Sequence, residues 1–241
     1  MAIEISDLEK RLSLLETYYA DLKTRWEEDY KYYDGTFPFT RPLKVRAIRP
    51  ATGRNAIEIP PTYLQTESYT VKRRRELHGP RSKEKDDKCE AFLQAFLEVN
   101  DKWAETSIPQ EVLKQQLSRG HGLYQGPFCN LDALENGDES WLWYDALDPT
   151  ACYIQPGPKP REFFIYYEAT VAELSQKAYR MPRWQAFDEL DRNDTDLVKV
   201  VEWYGFEKPS DIFCSYASWE QHNEDFIVRP KKLGYAYLPV I

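Results

Sequence analysis

The stretch Ser107–Asn130, SIPQEVLKQQLSRGHGLYQGPFCN, contains a change of period that decides the fold class. Ser107-Ile108-Pro109-Gln110 has capping-box spacing with proline inside the first turn, which starts a helix. Val112, Leu113, Gln116 and Leu117 recur at helical spacing and predict its inner face. Arg119-Gly120-His121-Gly122 then offers two glycines for the left-handed cap. Past Gly122 the helical spacing stops. Leu123–Asn130 and Ser140–Ala146 read as two strands joined through the turn Glu135-Asn136-Gly137-Asp138. Helices before this point and hairpins after it make an α+β chain.

Downstream the strand pattern continues. Ala151–Gln155 and Glu162–Glu168 flank Pro156-Gly157-Pro158-Lys159-Pro160 as a second hairpin. Thr170-Val171-Ala172-Glu173 has the spacing that caps a short helix reaching about Tyr179. Leu197–Glu207, Asp211–Ser218 and Asp225–Arg229 predict three further strands. Tyr235–Ile241 stays apolar to its last residue, which leads us to expect the N-terminal portion of a longer protein.

Upstream, Leu8, Leu12, Leu15, Tyr19, Leu22 and Trp26 recur at steps of 4, 3, 4, 3 and 4, one seam on a long amphipathic helix. Ser6-Asp7-Leu8-Glu9 reads as its capping box, and Asp34-Gly35 as its end. Glu9, Arg11, Glu16, Asp21, Lys23 and Arg25 read as its solvated side. The seam either packs on the rest of this chain or meets a partner helix, since sustained heptads also build coiled coils. Residues 36 to 63 are extended and broken by proline, with short β pieces at Leu43–Ile48 and Ala56–Ile59. TYLQTESYTV at 62–71 suits a strand or a helix equally, and a charged loop follows it. A second helix spans about Ser82 to Glu105. The expected organisation is residues 1–35 as the N-terminal helix, 36–120 as an extended and helical part, and 121–241 as a β-rich part.

Composition excludes several classes. The 241 residues carry a net charge of −8, with 30% charged and 15% aromatic residues. So many aromatics do not suit a disordered chain. No apolar run approaches the roughly 18–20 residues of a membrane span, and MAIEISDLEK has no signal-peptide pattern. The expectation is a soluble protein made in the cytosol. Net acidity also argues against a non-specific nucleic-acid coat.

Chemical motifs are sparse. Neither a P-loop, a dinucleotide fingerprint nor a G-x-S-x-G elbow is present in the sequence. Cys89, Cys129, Cys152 and Cys214 are isolated, and His78, His121 and His222 are scattered, so no metal and no cofactor is predicted. Gly120, Gly122 and Gly126 around His121 read as a helix cap and strand entry ahead of a catalytic loop. Asp138, Glu139, Asp145 and Asp148 near Trp141 and Trp143 are where paired carboxylates of a carbohydrate-active or other hydrolytic enzyme would sit. Strand alternation sets Trp141, Trp143 and Asp145 on one face, and the competing reading there is sheet packing. Lys72, Arg73, Arg74 and Arg75 form the candidate contact for nucleic-acid phosphates, against the competing reading of a solvated loop.

In its order of features, from about residue 25 to 241, the chain resembles the N-terminal, wing-containing half of a tailed-bacteriophage portal protein. Tyr30-Lys31-Tyr32-Tyr33-Asp34-Gly35 is similar to the Tyr-Tyr-x-Gly segment with which such proteins often begin. Helix 109–119 passing through Gly120-His121-Gly122-Leu123-Tyr124 resembles their helix, glycine and strand sequence. Asp148-Pro149-Thr150-Ala151-Cys152-Tyr153-Ile154 with its Pro-Gly-Pro loop resembles a wing strand, and Gly234–Ile241 resembles a Pro-Val-Ile strand end. The resemblance implies a non-catalytic subunit of a ring, usually a dodecamer, at a capsid vertex. Its implied partners are copies of itself, the terminase large subunit, capsid and head–tail adaptor proteins, and double-stranded DNA that passes through without tight binding. No membrane is implied; the location would be the virion, and the host cytoplasm during assembly. Another capsid or tail adaptor protein is the remaining non-catalytic alternative.

Overall fold

The computed structural model describes residues 3–34, 87–88, 90–96, 98, 107–129, 135–137, 142–180, 193–208, 210–222, 225–233 and 235–240. The architecture is mixed α+β, as the period change predicts: a long N-terminal helix, further helices, and antiparallel sheets of two and five strands. Helix α1 spans Ile5–Asp34 and α2 spans Ile108–Arg119; the described residues between 87 and 98 are also helical. Strands β1 (Leu123–Cys129) and β2 (Leu142–Leu147) form the two-stranded sheet. Strands β3 (Cys152–Ile154), β4 (Glu162–Thr170), β5 (Leu197–Gly205), β6 (Ser215–Glu220) and β7 (Phe226–Lys232) form the five-stranded sheet in sequential order. Helix α3, Val171–Arg180, follows β4 directly.

Both faces of the larger sheet are apolar. On one face Phe163, Ile165, Val198, Val200, Tyr204 and Tyr216 join Phe128 and Trp143 of the hairpin and Leu174 of α3. On the other, Phe164, Val201, Trp203, Ala217 and Trp219 meet Ile5, Leu8, Leu12 and Leu15 of α1. The alternation of β4 and β5 produces this division, because successive side chains point to opposite faces. The seam of α1 therefore lies on its own chain: Leu8, Leu12 and Leu15 are buried on the sheet, Trp26 is buried beyond it, and Tyr19 and Leu22 are half-buried. Each such side chain contributes about 1.5–3 kcal/mol when fully removed from water.

Several local expectations are corrected. Helix α1 starts at Ile5, with Leu8 N–H donating to the Glu4 carbonyl at 3.2 Å, so Ser6 falls inside the first turn. Ile5 and Leu8 share the buried face, and their packing draws that turn onto the sheet. In α2 the buried residues are Ile108, Val112 and Gln115, while Gln116 and Leu117 are exposed; Ser107 makes no side-chain cap hydrogen bond. The cause is the return of the chain after Gly120, which adopts the left-handed conformation (φ 77°). Gly122 then passes so close beneath Val112 that a Cβ would stand 2.3 Å from the Val112 carbonyl oxygen. Strand β6 begins at Ser215, later than the expected Asp211, because Asp211 is held back on Lys208, accepting from its N–H at 2.9 Å. The short helix is capped as its sequence predicts: Thr170 N–H donates to Glu173 Oε2 at 2.7 Å and Glu173 N–H to Thr170 Oγ1 at 3.2 Å.

The end of the chain also joins the fold. Gly126 N–H donates to the Pro239 carbonyl at 3.0 Å, and Val240 bridges antiparallel to Gln125. Strand β7, at the sheet edge, bears exposed Arg229, Lys231 and Lys232 around Pro230, residues that discourage further pairing. Substituting Leu8→Ala opens a cavity beneath α1 and is expected to lower unfolding free energy by about 2–5 kcal/mol in urea titration, whereas Leu14→Ala on the exposed side should change it by less than about 0.5 kcal/mol.

Candidate functional site

Polar side chains with chemical potential gather in two places. The first lies inside the core. Glu202 sits mid-strand in β5 on the same face as Val198, Val200 and Tyr204, and is fully buried. Its Oε1 accepts from the Tyr167 hydroxyl at 2.6 Å and its Oε2 from the Tyr204 hydroxyl at 3.0 Å. Gln125 of β1 donates Nε2–H to Tyr204 Oη at 3.1 Å, so the network ties the hairpin to the large sheet. Burial first, and the neighbouring Glu202 second, push both phenols well above the ordinary tyrosine pKa. Both phenols thus keep their protons and donate hydrogen bonds to the two Glu202 oxygens. Glu202 and Tyr204 are enclosed, and their hydrogen bonds fix the hairpin on the large sheet.

The second place is where the C-terminal half of α1 meets the turn and strand at 148–154. Tyr19 donates its hydroxyl to the Ile154 carbonyl at 2.9 Å. Lys23 donates to the Thr150 carbonyl, and its Nζ stands 3.2 Å from the centroid of the Tyr153 ring. Asp148 caps the 3-10 turn Pro149–Ala151 by accepting from Thr150 N–H at 2.8 Å and ion-pairs with Arg119 of α2. Arg119 also lies over Tyr30, and Trp26 packs on His121 with centroids 5.3 Å apart. Burial pulls Lys23 down to about 8 and pushes the adjacent Cys152 thiol up to about 12. The Tyr19 hydroxyl and the partly desolvated Lys23 ammonium fasten the helix here.

Lys23 and Arg11 correct the reading of a wholly solvated helix side. Arg11 reaches Glu162 at 3.3 Å, and Lys23, four residues after Tyr19, lies on the flank of the seam. Long side chains there cover apolar surface with their stems. The sequence offered no signal for Glu202 beyond one acid amid β-branched and aromatic residues, LVKVVEWYG.

The other sequence candidates fare differently. Trp143 is buried and packs on Phe128 with centroids 4.7 Å apart, so it lines the core. Asp145, two residues after Trp143 on β2, is exposed. A register shift between Gln125 and Phe128 of β1 lies between the pairs Gln125↔Asp145 and Phe128↔Trp143. Trp141, Asp138 and Glu139 lie outside the described residues, as do the basic run Lys72, Arg73, Arg74 and Arg75, the β pieces at 43–48 and 56–59, and the segment 62–71. Cys152 and Cys214 are free and buried, while Cys89 and the thiol of Cys129 lie outside what is described. Among the described residues no cluster of three or more His, Cys, Asp or Glu could hold a metal ion, and no helix is long and apolar enough to cross a membrane.

Two outcomes are expected. Glu202→Leu removes the acceptor of two buried hydroxyls and should cost about 2–4 kcal/mol by chemical denaturation. For Lys23 the folded pKa is lowered, so between about 8 and 10.5 the folded chain binds fewer protons than the unfolded one. The contribution of Lys23 to stability then rises with pH across that window. Measured by urea unfolding, the stability of the wild type relative to Lys23→Met should increase from pH 7 to pH 10.

No family model matches the chain, and no curated protein matches it in sequence.

Proposed function

We propose that this chain is a non-catalytic structural subunit of a viral portal ring, through which DNA is packaged into the capsid and later ejected. The observation that carries the reading is the order of elements. A 30-residue helix is followed by α2, which turns through Gly120 and Gly122 into a hairpin. The capped turn and strand at 148–154 and a meander of antiparallel strands complete the order. This is the succession on which the resemblance to portal wings rests. The use of the polar groups supports it as well. Glu202, Asp148, Arg119 and Lys23 hold elements to one another. A net charge of −8 suits a conduit that must let a polyanion slide without gripping it.

On this reading the partners are further copies in a ring, a dodecamer in the usual case, together with the terminase large subunit, capsid and head–tail adaptor proteins. Double-stranded DNA passes through, and ATP hydrolysis belongs to the terminase. The protein would reside at the capsid vertex of the virion, and in the host cytoplasm during assembly. The test is mass photometry with negative-stain electron microscopy of the complete natural polypeptide that carries these residues. Closed rings of about twelve subunits are the expected result for a cyclic assembly; a monomer at every concentration would overturn the reading.

A further inference from the structure

With its seam on the sheet, α1 presents a second stripe to solvent. Asp7, Arg11, Leu14, Tyr18, Asp21 and Arg25 follow one another at steps of 4, 3, 4, 3 and 4 along one flank of the seam. Leu14 is 72% and Tyr18 63% exposed, the two most open large apolar side chains of the helix. We propose that this stripe is a self-association surface: two copies of the chain pair their α1 helices antiparallel, with Leu14 of each against Tyr18 of the other.

The charges select the occupant and its orientation. Placing a two-fold axis between Leu14 and Tyr18 sets Arg11 of one copy opposite Asp21 of the other, and Asp7 opposite Arg25, each pair occurring twice. The four pairs flanking the apolar centre then meet opposite sign, and the like-charged Glu4 and Glu28 face each other only at the outermost, exposed ends. A parallel, in-register pairing would set each of these charges against its like. Arg11 already touches Glu162 at 3.3 Å, yet its side chain remains 38% exposed and its five donors can serve a second carboxylate. Asp7 ion-pairs with the exposed Lys10 at 3.7 Å, a contact of small value. The surface is one helix wide, which places it among small interfaces of below about 1,200 Å². Association is therefore concentration-dependent, and salt weakens it by screening the flanking pairs. An isologous contact of this kind differs from the heterologous contacts that close a ring, so the inference does not rest on the portal reading.

Sedimentation velocity of the 241-residue chain, from micromolar to near-millimolar concentration and at low and high salt, tests it. The expected result is a monomer–dimer equilibrium that shifts toward monomer with salt. Leu14→Glu with Tyr18→Glu should weaken it more than about tenfold, while thermal unfolding and circular dichroism stay those of the wild type. Arg25→Asp alone should weaken association, and Asp7→Arg combined with Arg25→Asp should restore it, because the swap keeps both pairs complementary. A chain that stays monomeric throughout would overturn the proposal. So would an oligomer indifferent to the Leu14 and Tyr18 substitutions, or a charge swap that fails to restore what the single reversal loses.

Discussion

A sheet that is apolar on both faces must be covered on both, and this constraint organises the molecule. Strands β5 and β6 are buried almost throughout, with Trp203 and Trp219 on one side and Tyr204 and Tyr216 on the other. One cover is α1; the other combines the β1–β2 hairpin, α3 and the segment Leu233–Val240. The first cover is partial. On the α1 side Leu197 and Lys199 are exposed while Val201 and Trp203, on the same face, are buried. The helix thus crosses only one half of the sheet.

Polar groups then fix how the covers sit. Hydrophobic burial is non-directional and leaves the placement of a helix loosely defined. The Tyr19, Lys23 and Arg11 contacts land on Ile154, Thr150 and Glu162, at the β3–β4 side, and give α1 its register. On the opposite face the Tyr167–Glu202–Tyr204–Gln125 network does the same for the hairpin. Such networks are costly unless complete, so they favour one arrangement over near alternatives.

How much of this the sequence reveals depends on the range of the interaction. Local periods disclosed α1, α2, the hairpins and the α3 cap, because the Leu8 to Trp26 spacing and the Thr170–Glu173 box are written within a few residues. The apolar runs within Glu162–Glu168 and Leu197–Glu207 announced strands, and the structure shows that both faces of these strands are covered. Placement across the fold was not legible. Nothing within α2 indicates that Gly122 folds back under Val112 and so turns Leu117 outward. Nothing near Lys23 names Thr150, and nothing near Glu202 names Tyr167, since those partners lie far along the chain. Whether the α1 seam met this chain or another was equally open until the sheet supplied the surface.

The central claim is that α1 is an integral cover of the sheet, folding and opening with it. Native-state hydrogen exchange resolved by residue tests this most directly. The amides of α1 around Leu8, Leu12 and Leu15 should exchange with the same free energy and denaturant dependence as those of β5 and β6. Free exchange along α1 while β5 and β6 stay protected would contradict it.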